Sequence, residues 1–157
     1  LREKLGLSLS SRELEGDRKL AEDLLARLAA NGVDYTLFFR RLCAAPLNPS
    51  GDSRIASLFR DPMTFHQWVP AWRQRLEREN VNPETLAMAM RNTNPAFIPR
   101  NHRIEEAIEA AVSKGDFKPF ETLASVLARP YSDQPDFADL AAPPGPEQHD
   151  YRTFCGT

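Results

Sequence analysis

Residues 61–76, DPMTFHQWVPAWRQRL, decide the fold class of this chain. An aspartate followed by proline is typical of a helix start, because aspartate caps free backbone N–H groups and proline is tolerated in the first turn. The large apolar residues that follow recur at helical spacing on one stripe: Phe65, Trp68, Val69, Trp72 and Leu76. The stripe predicts an amphipathic helix with both tryptophans in a core, rather than a platform on which a ligand stacks.

Pro70 interrupts this stripe. Proline has no backbone N–H and cannot donate the helical hydrogen bond to residue 66. We therefore expect a kink or a break in the helix at this position.

Helical spacing extends outward from this stretch in both directions, and no window alternates as a strand would. On the N-terminal side it predicts a helix from about Asp17 to Ala30, a second helix capped by Asp34, a loop over 46–52 and a short turn around 55–59. On the C-terminal side, Asn82-Pro83 begins another helix. Two more lie on either side of Gly115. The first is marked by the apolar residues Ile104, Ala107, Ile108, Ala111 and Val112. The second carries apolar residues that are expected to face inward: Phe117, Phe120, Leu123, Ala124 and Leu127.

The predicted fold class is all-α. We expect an irregular bundle of about six to eight helices over residues 1–129. Residues 130–157 are rich in proline and poor in large apolar side chains, so they predict an extended arm that carries Cys155.

The overall composition is that of an ordinary soluble chain. Its 157 residues are 41% apolar and 27% charged, with a net charge of −2. The sequence pI near 6.0 disfavours a nucleic-acid partner, because binding a phosphate backbone requires excess positive charge. No apolar run is long enough for a membrane span and no signal-peptide pattern opens the chain. We expect a cytoplasmic protein, and a first residue of Leu1 rather than Met is typical of a cleavage product or a truncated piece.

The chemistry-bearing residues form no recognisable catalytic or metal-binding pattern. Three histidines and two cysteines are scattered without metal-ligand spacing. The chain also lacks a glycine-rich phosphate loop and the short motifs of kinase catalytic loops. We therefore expect no catalytic, cofactor-binding or metal-binding residue in it.

The segment from Asn94 to Asn101 predicts an ordered structural loop. Asn94 precedes Pro95, and a second proline precedes Arg100, so two residues are restricted to extended conformations. Such a loop would hold Arg100 in a fixed place, where its guanidinium could pair with a carboxylate. We expect Arg100 to tie helices together, Asn101 to cap the next helix and His102 to face solvent.

The two cysteines differ in their setting. Cys155 lies two residues from the end, beside Arg152, and a neighbouring cation favours the reactive thiolate. Cys43 lies on an apolar helix and is expected to fill a small gap in the core. A Cys43–Cys155 bridge stays open as an alternative, because the sequence does not give the distance between the two thiols.

Several of these segments resemble the C-terminal region of the selenoprotein O family, the bacterial YdiU-type proteins. The resemblance is clearest at residues 34–42, DYTLFFRRL, and from Asn94 to Tyr131. It also includes the Asp61-Pro62 start and the Trp72-Arg73-x-Arg75-Leu76 stripe.

The resemblance implies a parent protein with a kinase-like fold that binds ATP and Mg or Mn and transfers AMP to Ser, Thr or Tyr hydroxyls of other proteins. This chain would then buttress the kinase-like core of the same polypeptide, without binding a cofactor itself. The resemblance further implies that Cys155 is a redox-regulatory residue that pairs with a cysteine near the activation loop of the parent. The alternative is a free-standing helical module that presents an apolar groove to a protein partner.

Overall fold

The computed structural model describes residues 1–7 and 14–145 of the chain. All regular structure in these ranges is helical, which confirms the all-α prediction. Seven α-helices are present there: α1 (Leu14–Asn31), α2 (Tyr35–Leu42), α3 (Asp52–Ala56), α4 (Met63–Glu77), α5 (Pro83–Thr93), α6 (Asn101–Lys114) and α7 (Lys118–Leu127). Short 3₁₀ helices cover Glu3–Leu5, Pro49–Gly51 and Pro135–Ala141.

The starts of α2 and α5 follow the predicted capping residues. The Asp34 carboxylate accepts the backbone N–H of Leu37 at 2.8 Å at the start of α2. Asn82 accepts two N–H groups at the start of α5, where Pro83 is the first helical residue. These side chains satisfy N–H groups that a helix leaves without partners in its first turn.

Helix α4 runs from Met63 to Glu77 without a break, so the break expected at Pro70 is absent. The proline side chain is exposed, and the buried stripe on the other side of the helix supplies the contacts that keep it continuous. Trp68 and Trp72 are 1% and 0% exposed and stack on each other with ring centroids 5.8 Å apart. Their indole N–H groups donate to backbone carbonyls of Leu20 and Leu5, so both are core residues, as predicted.

The chain divides into two units, and the division falls between Asn94 and Pro95. In the first unit, α1 and α3 pack on α4, while the Glu3–Leu5 3₁₀ helix packs on α2 and α5. An aromatic cluster fills the centre of this unit, with Phe38 in edge-to-face contact with four other rings. Large aromatic side chains contribute most of the buried apolar area in such a core.

A buried ion network fixes the start of the chain to this unit. Asp17 on α1 is 0% exposed. Its carboxylate accepts two hydrogen bonds from Arg75 on α4, at 2.6 and 3.2 Å, and pairs with Arg2 at 2.9 Å. Arg75 also pairs with Glu79 at 2.7 Å. Burial lowers the pKa of Arg75, but hydrogen bonds to Asp17 and Glu79 outweigh it and the pKa is raised, so Arg75 stays charged.

Gly6 allows the N-terminal 3₁₀ helix to approach α5 closely. Its φ of 74° lies in the left-handed region. A Cβ at this position would lie 2.8 Å from a methyl carbon of Leu86 and 3.0 Å from the sulfur of Met90. Only glycine therefore fits both the backbone conformation and the contact.

The second unit contains the antiparallel pair α6 and α7, which pack on each other. Gly115 ends α6 in the left-handed conformation, as predicted. Ala107, Leu123 and Val126 are buried. The prediction that the apolar residues of the second helix face inward is wrong for Phe117, Phe120 and Ala124, which are exposed. Ile108 and Val112 on α6 are exposed as well. Helical spacing identifies an apolar face but not what covers it.

The first part of the predicted arm is not extended throughout. Residues 135–141 form a 3₁₀ helix, and the carbonyl of Pro130 accepts the N–H groups of Ala96 and Phe97. The predicted boundary at residue 129 stays a prediction. The described contacts divide the chain between Asn94 and Pro95. No helix among the described residues is long and apolar enough to span a bilayer.

Candidate functional site

Asn94, in the predicted structural loop, is completely buried at the end of α5. Its side-chain amide donates to the carbonyl of Lys4 at 2.9 Å and to the sulfur of Cys43 at 3.5 Å. Its side-chain oxygen accepts the ammonium of Lys4 at 3.2 Å. One side chain therefore joins three segments of the first unit: the N-terminal 3₁₀ helix, the end of α2 and the end of α5.

Arg40 reinforces the same joint from α2. Its guanidinium donates to the backbone carbonyl of Asn94 at 2.9 Å and to that of Arg91 at 3.1 Å. These carbonyls belong to the C-terminal end of α5, where the last backbone acceptors lack helical partners. A cation at a helix C-terminus also interacts favourably with the helix dipole.

The remaining loop residues lie in the second unit, and the structure corrects one expectation about them. Arg100 is 7% exposed and donates to the backbone carbonyl of Ala141 at 3.0 Å, so it ties the start of α6 to the Pro135–Ala141 helix. Asn101 is exposed and is the first residue of α6, not its cap; the cap position belongs to Arg100. Pro95 begins the second unit.

His102 is buried, so the prediction that it faces solvent is wrong. Burial lowers the pKa of its imidazole, and the neighbouring Arg103 and Arg100 lower it further, while Glu106 opposes them. Sequence spacing missed this because His102 lies in the first turn of α6, where the apolar stripe has not yet begun. A neutral imidazole is the form that this setting favours.

Two shallow clefts in the second unit carry too little positive charge to hold a triphosphate. One, of about 290 Å³, is lined by two cations, Arg103 and Lys118, and two carboxylates, Glu106 and Asp116. Arg103 and Glu106 pair at 2.8 Å, so their charges cancel. The other, of about 390 Å³, is lined by three glutamates. Carboxylates repel phosphate oxygens, so neither cleft fits a nucleotide.

Cys43 is 1% exposed, and its thiol donates to the backbone carbonyl of Phe39 at 3.1 Å. Burial raises the pKa of this thiol, against the opposing effects of Asn94, Arg40 and Arg91. Cys43 thus fills the core, as predicted. Cys155 lies outside the described residues, and its redox role stays a prediction. Within residues 1–7 and 14–145, no group of three or more His, Cys, Asp or Glu residues is placed to hold a metal ion.

Sequence reasoning missed the residues that complete the Asn94 joint, Lys4 and Arg40. Lys4 lies about ninety positions from Asn94 along the chain, so no local pattern connects them. Its ammonium also lies 5.6 Å from the ring centroid of Phe39. The basic pair Arg40-Arg41 at the end of α2 did not signal this contact, since a cation there is expected to bind the carbonyls of its own helix and Arg40 binds those of α5.

Comparison with known families gives one match over most of the chain. A family model described as protein adenylyltransferase SelO matches residues 1–128. The match includes the α2 segment, the α4 stripe and the Asn94 joint.

Individual relatives agree with this match. The chain is similar to bacterial proteins named protein nucleotidyltransferase YdiU. It is 50% identical to the one from Nitrobacter hamburgensis over 156 residues, which cover 99% of this chain and 30% of that protein. The corresponding values are 49% over 157 residues for Rhizobium etli, covering 100% and 31%, and 51% over 160 residues for Methylorubrum extorquens, covering 98% and 32%. The chain therefore spans about a third of the length of these curated relatives.

Proposed function

This chain belongs to the SelO family of protein adenylyltransferases, and on that premise we propose that it is the C-terminal helical part of such an enzyme. In this proposal the chain buttresses a kinase-like catalytic core that lies in the same polypeptide. The parent enzyme carries the activity, and these helices carry structural contacts and a regulatory thiol.

The proposal rests on a difference in coverage: the match takes in nearly all of this chain but only part of each relative. Relatives at about half identity match almost every residue of this chain, yet the matched region is about a third of their own length. A self-contained interaction module, the alternative, would more often match relatives of its own size. Identity at this level over a whole chain supports a shared fold and a shared place in the parent.

The proposed reaction of the parent transfers AMP to a protein. The hydroxyl oxygen of a Ser, Thr or Tyr acceptor attacks the α-phosphorus of ATP, and the bond to the bridging oxygen breaks, so pyrophosphate leaves. Positioning and charge stabilisation dominate reactions at phosphorus. We assign ATP and a divalent cation, Mg or Mn, to the remainder of the parent. Neither cleft described above fits a nucleotide, and no group of three or more His, Cys, Asp or Glu among the described residues is placed to hold a metal ion. In the proposal, no step of the reaction runs through the residues of this chain.

Cys155 supplies the proposed regulation. In the parent, its thiol and a second cysteine thiol would form a disulfide, with two electrons and two protons passing to an oxidant such as oxidised glutathione. The buried Cys43 is a poor partner for this step because its thiol is enclosed and its raised pKa disfavours the thiolate.

The proposed partners of the chain are the catalytic core of the same polypeptide and the protein acceptors, with no nucleic acid or membrane. The proposed location is the bacterial cytoplasm.

An AMP-transfer assay tests the proposal. The full-length parent, incubated with ATP, Mn and a protein acceptor, should add AMP to acceptor hydroxyls, detected as a mass increase on acceptor peptides. The 157-residue chain alone should add none, and a chelator should abolish the parent's activity. AMP transfer by the chain alone would refute the proposal. So would a full-length parent that transfers no AMP in the presence of ATP and Mn.

A further inference from the structure

Helices α6 and α7 leave an unusual amount of apolar surface uncovered. Four large apolar side chains are half or more exposed: Ile108 (50%), Val112 (81%), Phe117 (58%) and Phe120 (59%). We call these four residues the exposed apolar set. They lie on two packed helices joined by the short turn at Gly115, and three of them fall within five residues of that glycine.

The packing between α6 and α7 does not use these side chains. The buried residues of the pair are Ala107 on α6 and Leu123 and Val126 on α7. Ile108 and Val112 lie four residues apart and therefore share one face of α6. Phe117 and Phe120 lie at the start of α7. Scattered single apolar residues are normal on a surface, whereas two aromatic and two aliphatic side chains near one turn indicate an interaction surface.

The charges around Ile108 and Val112 indicate the chemistry of the partner. The cleft beside them is lined by Glu105, Glu106 and Glu109. Glu106 pairs with Arg103, but no described cation lies within ion-pair distance of Glu105 or Glu109. A partner that covers this face would therefore present apolar side chains flanked by lysine or arginine.

We propose that the exposed apolar set docks onto the catalytic part of the parent polypeptide, through an apolar surface with a basic rim. The inference rests on the proposed function, because it takes its partner from there. The length of the relatives supports it: about two thirds of their chain lies outside the matched region.

Thiol labelling tests the inference without relying on enzymatic activity. Val112→Cys is compared in the full-length parent and in the 157-residue chain, both carrying Cys155→Ser, with labelled peptides identified by mass spectrometry. Lys114→Cys is the matched control, since Lys114 is exposed on α6 two residues away. We expect Val112→Cys to label about tenfold or more slowly in the parent than in the chain, with little change for Lys114→Cys.

Three results would overturn the inference. Equal rates for Val112→Cys in parent and chain would mean that nothing in the parent covers the face. Slow labelling in the chain that depends on its concentration would assign the face to a second copy. Slow labelling in the chain at every concentration would assign it to the chain's own residues 146–157. Slow labelling of Val112→Cys in a parent that transfers no AMP would distinguish the two proposals. The docking of the exposed apolar set would then stand, while the proposed activity would fail.

A charge substitution gives a second readout. Phe120→Glu should leave the unfolding midpoint of the chain unchanged, because the ring is exposed there, but should lower that of the parent. Ser125→Glu, also exposed on α7, is the control and should lower neither. An unchanged parent midpoint with Phe120→Glu would contradict the docking of α7.

Discussion

Asn94 shows how one buried amide organises several segments. Water does not reach its side chain, so each of its polar atoms depends on a protein partner. Those partners are the backbone and ammonium of Lys4 and the thiol of Cys43. The cost of removing such a group is mostly the cost of leaving its partners unpaired.

Asn94→Ala should therefore lower the free energy of unfolding of the first unit by about 1–3 kcal/mol. The measurement is urea denaturation followed by tryptophan fluorescence. Both tryptophans of the sequence, Trp68 and Trp72, lie in this unit and report on it alone. Asn92→Ala is the control, since Asn92 is exposed on α5 in the same unit, and it should change this free energy by no more than about 0.5 kcal/mol. Equal effects of the two substitutions would contradict the assigned role of Asn94.

Cys43 should resist thiol reagents in the folded chain. Its burial and raised pKa leave little accessible thiolate near neutral pH, so a maleimide should modify it only after denaturation. The Cys155→Ser variant isolates this thiol, and mass spectrometry counts the modified residues. Rapid modification of Cys43 in that folded variant would show that the core around α2 is open.

His102 gives the second unit a pH dependence. Its pKa is lowered in the folded chain, chiefly by burial, so the unfolded state binds the proton first as pH falls below about 6.5. Stability from the neutral imidazole is complete above that pH and is lost as pH falls through the folded pKa. NMR titration should give His102 a midpoint below the ordinary histidine value of about 6.5, with His102→Gln used for assignment. A midpoint for His102 at or above that value would reverse the argument.

Among the elements, α4 tests how much a proline inside a continuous helix lowers stability. Pro70 removes one helical hydrogen bond, yet the helix continues through it. Pro70→Ala should raise the free energy of unfolding of the first unit by about 1–2 kcal/mol, since the restored bond outweighs the greater flexibility of the unfolded chain. Gln74→Ala, exposed on the same helix, should change it by less than about 0.5 kcal/mol. A loss of stability with Pro70→Ala would mean that α4 depends on the proline.

Comparison of α4 with α6 and α7 shows what sequence periodicity can predict. The α4 stripe is buried in full, because α1 and α3 cover it. The same reasoning failed for Phe117 and Phe120, which are apolar and correctly spaced but exposed. Spacing and capping depend on neighbours in sequence, so helix starts such as Asp34 and Asn82 were predictable. Coverage of a face and the Lys4–Asn94 contact depend on distant segments, so they were not.

For the whole molecule, our proposal assigns the nucleotide chemistry to the part of the parent outside these 157 residues, which cover about a third of the length of their relatives. The described clefts agree with this assignment, because carboxylates balance or outnumber their permanently charged cations. The proposed contribution of the chain is structural support and a regulatory thiol.

Calorimetric titration with ATP and Mn tests this division most directly. The full-length parent should bind ATP with saturable heat, and the 157-residue chain, folded and at the same concentration, should give only the heat of dilution. Saturable ATP binding by the chain itself would contradict the account, as would its absence from the full-length parent.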